Sequence, residues 1–379
     1  MPHPEDMASI ALDPTRRKFI ATFTSAGAAL FFNPLPSFAI DESDPKVKNI
    51  VAKTIGIDTH NHMDVPFNSV EFKAQKYDLS NELKSSGLTA ICMTFCVDRP
   101  KLEKEGDAYE RFITSLNEMD ELFKTNKLTR ALNFSDLIKA RKENKQIVIQ
   151  SIEGGHFIEG KLERIKTAYD RGLRHLGLMH DGQTSPPMGD IYTDAPQYGG
   201  LTQLGTDVIK ECNKLGILVD LAHCSNGGVN MALEQSTKPM LISHTGLNTQ
   251  LGTNMGMAKM MMPRLISKEQ AKRFADAGGV IGVWTHFADT PLDYAKNIRA
   301  MVDVVGTEHV SIGTDTKMAP PSNANPRFGK KTNQSWEGQP DGFFYIVVDA
   351  LLKTGFIEKE IEQIGGGNYC RLFDKATTI

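Results

Sequence analysis

Eight short apolar runs rich in Ile, Val and Leu recur along the chain, at 54–60, 88–96, 147–153, 174–180, 217–223, 240–244, 280–286 and 309–315. Each has the length and β-branched content of a buried strand rather than of a helix. Amphipathic stretches separate them. Leu204 to Leu215 repeats its apolar residues at intervals of three and four and stops before Gly216, and Ser267-Lys268-Glu269-Gln270 is a capping box that opens a helix ending at Gly278-Gly279. Strand then helix, eight times over, predicts an α/β fold of the (β/α)8 TIM-barrel type, roughly 250 residues plus insertions. A doubly wound open sheet is the structural alternative. No G-x-G-x-x-G or Walker loop follows any of the runs, which weakens the nucleotide-binding version of that alternative.

The ends of the runs carry the chemistry. Seven of the eight finish on an ionisable side chain: His60, Glu153, His180, His223, His244, His286 and Asp315. In a barrel these positions gather at the carboxyl ends of the strands, the face on which active sites are built. One rim histidine bonded to backbone is ordinary; seven ionisable tips at one phase of the strand pattern are a poor fit to chance. Histidines and carboxylates that converge at a barrel mouth suit a metal, with imidazole favouring Zn or a similar borderline ion. His60 and His62, two apart on an extended strand end, point the same way and can grip one ion. His223 and His244 end successive strands and can grip a second, and Glu153, between the two pairs, can bridge both. Two ions about 3.5 to 4 Å apart lower the pKa of a bridging water and polarise a carbonyl or phosphoryl oxygen, which is the chemistry of metal-assisted hydrolysis.

Composition narrows the setting. The 379 residues carry 43 Lys and Arg against 46 Asp and Glu, a formal charge of -3, with no basic segment that a nucleic acid would need. Arg16-Arg17 stands before a mild hydrophobic run from Phe19 to Phe32, then Pro34, Pro36 and Ser37-Phe38-Ala39, the pattern of a twin-arginine export signal cleaved after Ala39. That run falls short of the roughly 20 apolar residues of a spanning helix, so no stable membrane anchor is expected. The organisation expected is a signal over 1–39 and a single catalytic barrel over 40–379, exported through the twin-arginine translocation machinery to the periplasm or beyond. Cys92, Cys96, Cys212, Cys224 and Cys370 are odd in number and scattered, which implies neither a disulfide framework nor a zinc ribbon. Buried packing is their expected role, with Cys224 beside His223 a minor alternative as a ligand or nucleophile.

Asp58-Thr59-His60-Asn61 with Pro66 nearby, Ile152-Glu153-Gly154-Gly155, Leu176 to His180, Gly200 to Gly205, Val219 to Ser225, Ile242-Ser243-His244, Ile312 to Asp315 and Gly367 to Phe373 together resemble the membrane (renal) dipeptidase family, in the right order from about Ile55 to Phe373. The resemblance implies a metal-dependent (β/α)8 barrel that hydrolyses dipeptides, some members also opening β-lactams, with two divalent metal ions, Zn by expectation. It implies that His60 and the position of His62 bind the first ion, that Glu153 bridges, and that His223 and His244 bind the second. His180 would donate to the tetrahedral oxyanion. Asp315 would hold the substrate amine and shuttle the proton, and Arg264 would bind the free carboxylate of a dipeptide. Each role suits its residue type: a fixed donor for an oxyanion, a proton carrier for a leaving amine, a bidentate guanidinium for a carboxylate. The plain alternatives are a surface cation for Arg264 and a strand-end cap for Asp315. A homodimer is plausible by the same resemblance.

The chain departs from the family pattern in three places. His60-Asn61-His62 replaces the usual His-x-Asp, which raises the net positive charge of the site by one and leaves either Asp315 or Asp64 as a candidate further ligand. Asp181-Gly182-Gln183 replaces an Asn-rich turn after His180, and Thr316-Lys317 replaces Phe-Asp after Asp315, leading into a Pro- and Asn-rich loop from Pro320 to Pro340. The segment 248–262 holds Met255, Met257, Met260, Met261 and Met262, which reads equally as a lid over an apolar substrate side chain or as packing against a neighbouring subunit. His286 matches no family role. The leading expectation is an exported binuclear zinc dipeptidase acting through a metal-bridging hydroxide. An amidohydrolase of another small amide, β-lactam or lactone is the alternative. An exported metal-binding protein without catalysis would use the five ligands but not His180 and Asp315.

Overall fold

The computed structural model describes residues 44–65, 77–318, 330–339 and 342–378. The expected export signal over 1–39, Pro66 and most of the loop from 320 to 340 lie outside the described residues. The described residues fall within one compact unit, Glu42–Ile379.

All eight apolar runs are strands: β1 Ile57–His62, β2 Ala90–Cys96, β3 Ile147–Glu153, β4 Leu173–Gly177, β5 Leu218–Asp220, β6 Leu241–Thr245, β7 Val280–Val283 and β8 Val310–Ile312. They lie parallel in chain order, and the pairing of β1 with both β8 and β2 closes the sheet into a barrel. An open sheet is thereby excluded. A ninth strand, β9 Thr316–Lys317, runs along β1 beyond β8, with Thr316 opposite Asn61. The helices form where their punctuation places them. Thr202 caps Gln203–Leu215, which stops at Gly216 with φ 80°, and the Ser267 hydroxyl accepts from the Gln270 N–H at the start of Lys268–Asp276.

Two features set the position of the rim. The lower ends of the strands (Ile57, Ala90, Ile147, Leu218, Leu241, Val280) pack with Tyr369, Leu372 and Phe373 of the C-terminal helix Asn368–Thr377, so one end of the barrel is an apolar floor. Higher up, the Ser243 carbonyl accepts from the Thr59 hydroxyl at 2.7 Å and lies so close to Gly282 and Gly313 that a Cβ on either would sit 1.9 or 1.8 Å from it. Only glycine permits this approach, and it ties β6 to β1, β7 and β8 directly beneath the rim.

The strands end earlier than the apolar runs suggested. Leu178 to His180, Leu221 to His223, Trp284 to His286 and Gly313 to Asp315 follow β4, β5, β7 and β8 rather than belong to them. His223 (φ 69°) and Asp315 (φ 56°) take left-handed backbone that breaks the pleat. The rim stays tied to the barrel nonetheless, because the Leu178 N–H donates to the Asp220 carbonyl and the Asp315 N–H to the His60 carbonyl.

Candidate metal and active site

Six of the ten histidines meet at the carboxyl end of the barrel with Glu153 and Asp315. His60 and His62 come from β1, Glu153 ends β3, and His244 stands in β6. The Nε2 atoms of His60 and His62 are 3.2 Å apart, and those of His223 and His244 are 3.1 Å apart. Glu153 stands between the pairs. Its Oε1 is 2.8 Å from His223, 3.5 Å from His60 and 3.7 Å from His244, while its Oε2 is 3.2 Å from His180 and 3.9 Å from His62.

These contacts fit cations better than hydrogen bonds. Both Glu153 oxygens are buried without a hydrogen-bond donor of acceptable geometry. Two imidazole nitrogens bound to one tetrahedral ion at about 2.0 to 2.1 Å lie about 3.3 Å from each other, close to the spacing of each pair. Three groups of ligand atoms lie within metal-holding distance here: His60 with His62 and Asp315, His60 with Glu153 and His244, and Glu153 with His180 and His223. A further group, Cys96, Asp98 and His180, flanks them.

The electrostatics agree. Burial works against the charge on Glu153, yet His180, His60 and His223 outweigh it and hold the carboxyl well below its ordinary range. Asp315 is held low in the same way by His244 and His286. Burial pulls His60 down to about 4 and His244 well below its ordinary value. For His62 and His223 burial is outweighed by Asp315 and Glu153, and both are raised. Each pair thus contains one imidazole pushed down and one pushed up.

Asp315 resolves one choice left by the sequence. Its Oδ1 is 2.8 Å from His62 Nε2, and its Oδ2 is 2.6 Å from His286 Nε2. Asp64 is instead 2.5 Å from the Lys317 ammonium and partly exposed, so it does not join the cluster. Arg264 is no surface cation. Its Nη2 lies 3.0 Å from His223 Nε2 and 3.4 Å from His244 Nε2, and its guanidinium lies over the Tyr192 and Trp284 rings at 5.5 and 5.6 Å. With Tyr192, His223, His244, Asn226 and Gln270 it lines a cavity of about 530 Å³ beside the cluster.

Several contributors escaped the sequence reading. Both Asp98 oxygens lie 2.7 to 2.8 Å from His180 Nδ1, and Asp98 stands two residues beyond Cys96, at the one run without an ionisable tip. Asp181, in the divergent turn, lies 3.1 Å from His223 Nδ1, accepts from the Tyr192 hydroxyl at 2.5 Å and pairs with Arg99. His286 proves to be the partner of Asp315. Burial pushes the Cys224 thiol up, against a role as a thiolate. In the Met-rich segment, helix Met255–Met261 buries Ala258, which with Met261 packs against Trp284 and Phe287, and leaves Met255 and Met260 more than 60% exposed.

Known proteins share this architecture. The chain is 25% identical to mouse dipeptidase 3 over 241 residues, 60% of this chain and 44% of the mouse protein. It spans about half the length of the curated relatives it matches. Among solved structures, an amidohydrolase from Pseudomonas aeruginosa superposes with a TM-score of 0.70 at 20% identity, covering 87% of this chain and 99% of that one. A metallopeptidase from Rhodobacter sphaeroides, solved with a phosphinate mimic of the dipeptide L-Ala-D-Ala, superposes with a TM-score of 0.66 at 17% identity, covering 85% of this chain and 99% of that one. At these identities the two structures speak to the fold alone, but the model of the membrane dipeptidase family, Peptidase family M19, matches residues 45–379, and the chain belongs to that family.

Proposed function

We propose that the protein is a binuclear metal-dependent dipeptidase, exported by the twin-arginine route, that hydrolyses the peptide bond of small peptides. The observation that carries this reading is Glu153, a buried carboxylate between two imidazole pairs with neither oxygen given a hydrogen-bond donor. His60 and His62 would hold one ion, His223 and His244 the other, with Glu153 shared. Such ions, zinc by preference, polarise a carbonyl oxygen and lower the pKa of water.

This chain's own groups supply the rest. Arg264 stands at the cavity edge with its guanidinium beside His223 and His244 and over two rings, and would receive a free carboxylate in bidentate fashion. His180 is held through Nδ1 by Asp98, and in its imidazolium form it would donate to a developing oxyanion from Nε2, which faces the cluster. Asp315 holds the amino group of the substrate and carries a proton from water to the leaving amine. The phosphinate ligand of the R. sphaeroides metallopeptidase is consistent with a dipeptide as substrate. Export rests on Arg16-Arg17 and the apolar run after it. A homodimer is part of the same proposal.

A second reading has its own observation. Asp315 Oδ1 lies 2.8 Å from His62 Nε2 and 3.8 Å from His60 Nε2. It would serve as a carboxylate ligand of the first ion, in place of the one that His62 displaced, and the protein would then be an amidohydrolase of another amide or lactone. Chelator dialysis followed by zinc decides between catalysis and its absence. Hydrolysis of a dipeptide such as Ala-Ala lost on dialysis and regained with zinc is expected, and an unchanged rate after verified metal removal overturns the proposal.

A further inference from the structure

We infer that Ser243 is a shared positioning residue for both halves of the site, its hydroxyl setting the tautomer of one histidine in each. The inference rests on the metal-site reading above and deepens it. Ser243 Oγ lies 2.9 Å from His244 Nδ1 and 3.3 Å from His60 Nδ1, while it donates to Asp220 Oδ2 at 2.5 Å. A hydroxyl has one hydrogen and two lone pairs. Its direction follows from the surroundings of Asp220. Asp220 Oδ1 accepts from the Ser243 N–H at 2.9 Å and the Ala222 N–H at 3.0 Å, and Oδ2 faces His175 Nε2 at 3.3 Å as well as the serine.

Asp220 Oδ1 is therefore filled by two backbone donors, and a carboxylate can only accept. The serine hydrogen goes to Asp220, so both lone pairs of Oγ are left for N–H groups. His60 and His244 must then carry their protons on Nδ1, and their Nε2 atoms present lone pairs to the cluster. That is the form in which a neutral imidazole ligates through Nε2. The arrangement is rigid, because the Ser243 carbonyl is clamped by Gly282, Gly313 and the Thr59 hydroxyl. One hydroxyl thus prepares one donor in each half-site. His223 is prepared separately by Asp181.

Two substitutions read this out differently. In Asp220→Asn the amide oxygen stays on the two backbone N–H groups, so the NH2 faces Ser243 Oγ and donates to it. The serine hydrogen must then go to His60 or His244, which shifts its own proton to Nε2 and loses that lone pair. Ser243→Ala removes the acceptor from both imidazoles without adding bulk. Zinc affinity of the full chain, by competition with a chromophoric chelator, is expected to fall about 10- to 100-fold for both ions in Ser243→Ala and mainly for one ion in Asp220→Asn, with Asp181→Asn affecting only the ion held by His223.

Long-range 1H–15N spectra of the histidine rings in the zinc-free full chain give the readout that a merely structural role would not move. Nδ1–H on both His60 and His244 is expected in the wild type, and one ring switched in Asp220→Asn. Nε2–H on either ring of the wild type overturns the inference, as does unchanged affinity for both ions in Ser243→Ala. If Asp220→Asn does not fold, the wild-type spectra and Ser243→Ala still decide. A wild type that binds fewer than two ions while showing both Nδ1–H tautomers removes the binuclear reading and leaves the tautomer assignment standing.

Discussion

Glu153→Gln is the substitution from which the site should suffer most with least change of shape. Glutamine fills the same volume and keeps one oxygen that can ligate, but it removes the single negative charge lying between the two histidine pairs. The carboxylate oxygens lie 2.8 to 3.9 Å from the Nε2 atoms of all four histidines, so an ion held by either pair sits within about 4 Å of the charge. Two unit charges at that distance are worth about 4 kcal/mol at an effective dielectric of about 20, and a divalent ion about twice that before its charge is spread over its other ligands. With the amide oxygen retaining part of the contact, a loss of about 2 to 4 kcal/mol per ion is expected, which is about 30- to 1,000-fold in affinity. Elemental analysis after dialysis at fixed free zinc, with chelator competition, measures it. A stability control separates ion loss from unfolding. The folded carboxyl is held well below its ordinary range, so its contribution is present above about pH 4.3 and fades as pH falls. Zinc-free Glu153→Gln should therefore be less stable than the wild type at pH 7, with the gap closing in acid. A variant that keeps both ions at wild-type affinity refutes the shared-carboxylate argument.

Other expectations follow from the same geometry. Asp98→Asn removes the carboxylate charge 2.7 Å from His180 Nδ1 and should lower kcat about 100-fold with KM little changed, as steady-state kinetics on a dipeptide will report. Gly313→Ala puts a Cβ 1.8 Å from the Ser243 carbonyl and should cost about 3 kcal/mol in urea unfolding. Burial raises Asp58 from 3.8 to about 6 against hydrogen bonds from Thr314, Asn61 and His60. A raised folded pKa means stability that is full below about pH 4 and lost as pH rises through 6. The zinc-free wild type should therefore lose about 3 kcal/mol relative to Asp58→Asn between pH 4 and 7, and parallel pH profiles of the two proteins would rule this out.

The barrel was legible because strands buried on both faces leave uninterrupted apolar runs, and all eight were present as such. The cluster of histidines and carboxylates was legible for a related reason: ionisable residues recur at the same phase, where each apolar run meets the rim. Strand ends were less so, since β5 and β8 stop at Asp220 and Ile312, three residues short of the left-handed His223 and Asp315, without any change in apolarity. Asp98 was missed because the apolar run ends at Cys96, where β2 and its ladder also end, two residues short of the carboxylate. Ser243 lies 183 residues from His60 in the chain, and only closure of the barrel sets the two in contact. Asp64, left by the sequence as a candidate ligand, pairs with Lys317 instead.

The central claim is that this cluster cleaves dipeptides by reading both of their ends. The most direct measurement is amino-acid release by the zinc-loaded protein from a panel of L,L and L,D dipeptides, with N-acetylated and C-amidated copies alongside. Cleavage of the free dipeptides and of neither blocked form is predicted, since Asp315 would lose its amine and Arg264 its carboxylate. Two bound ions per chain with no dipeptide cleaved, or equal cleavage of the blocked forms, would contradict it.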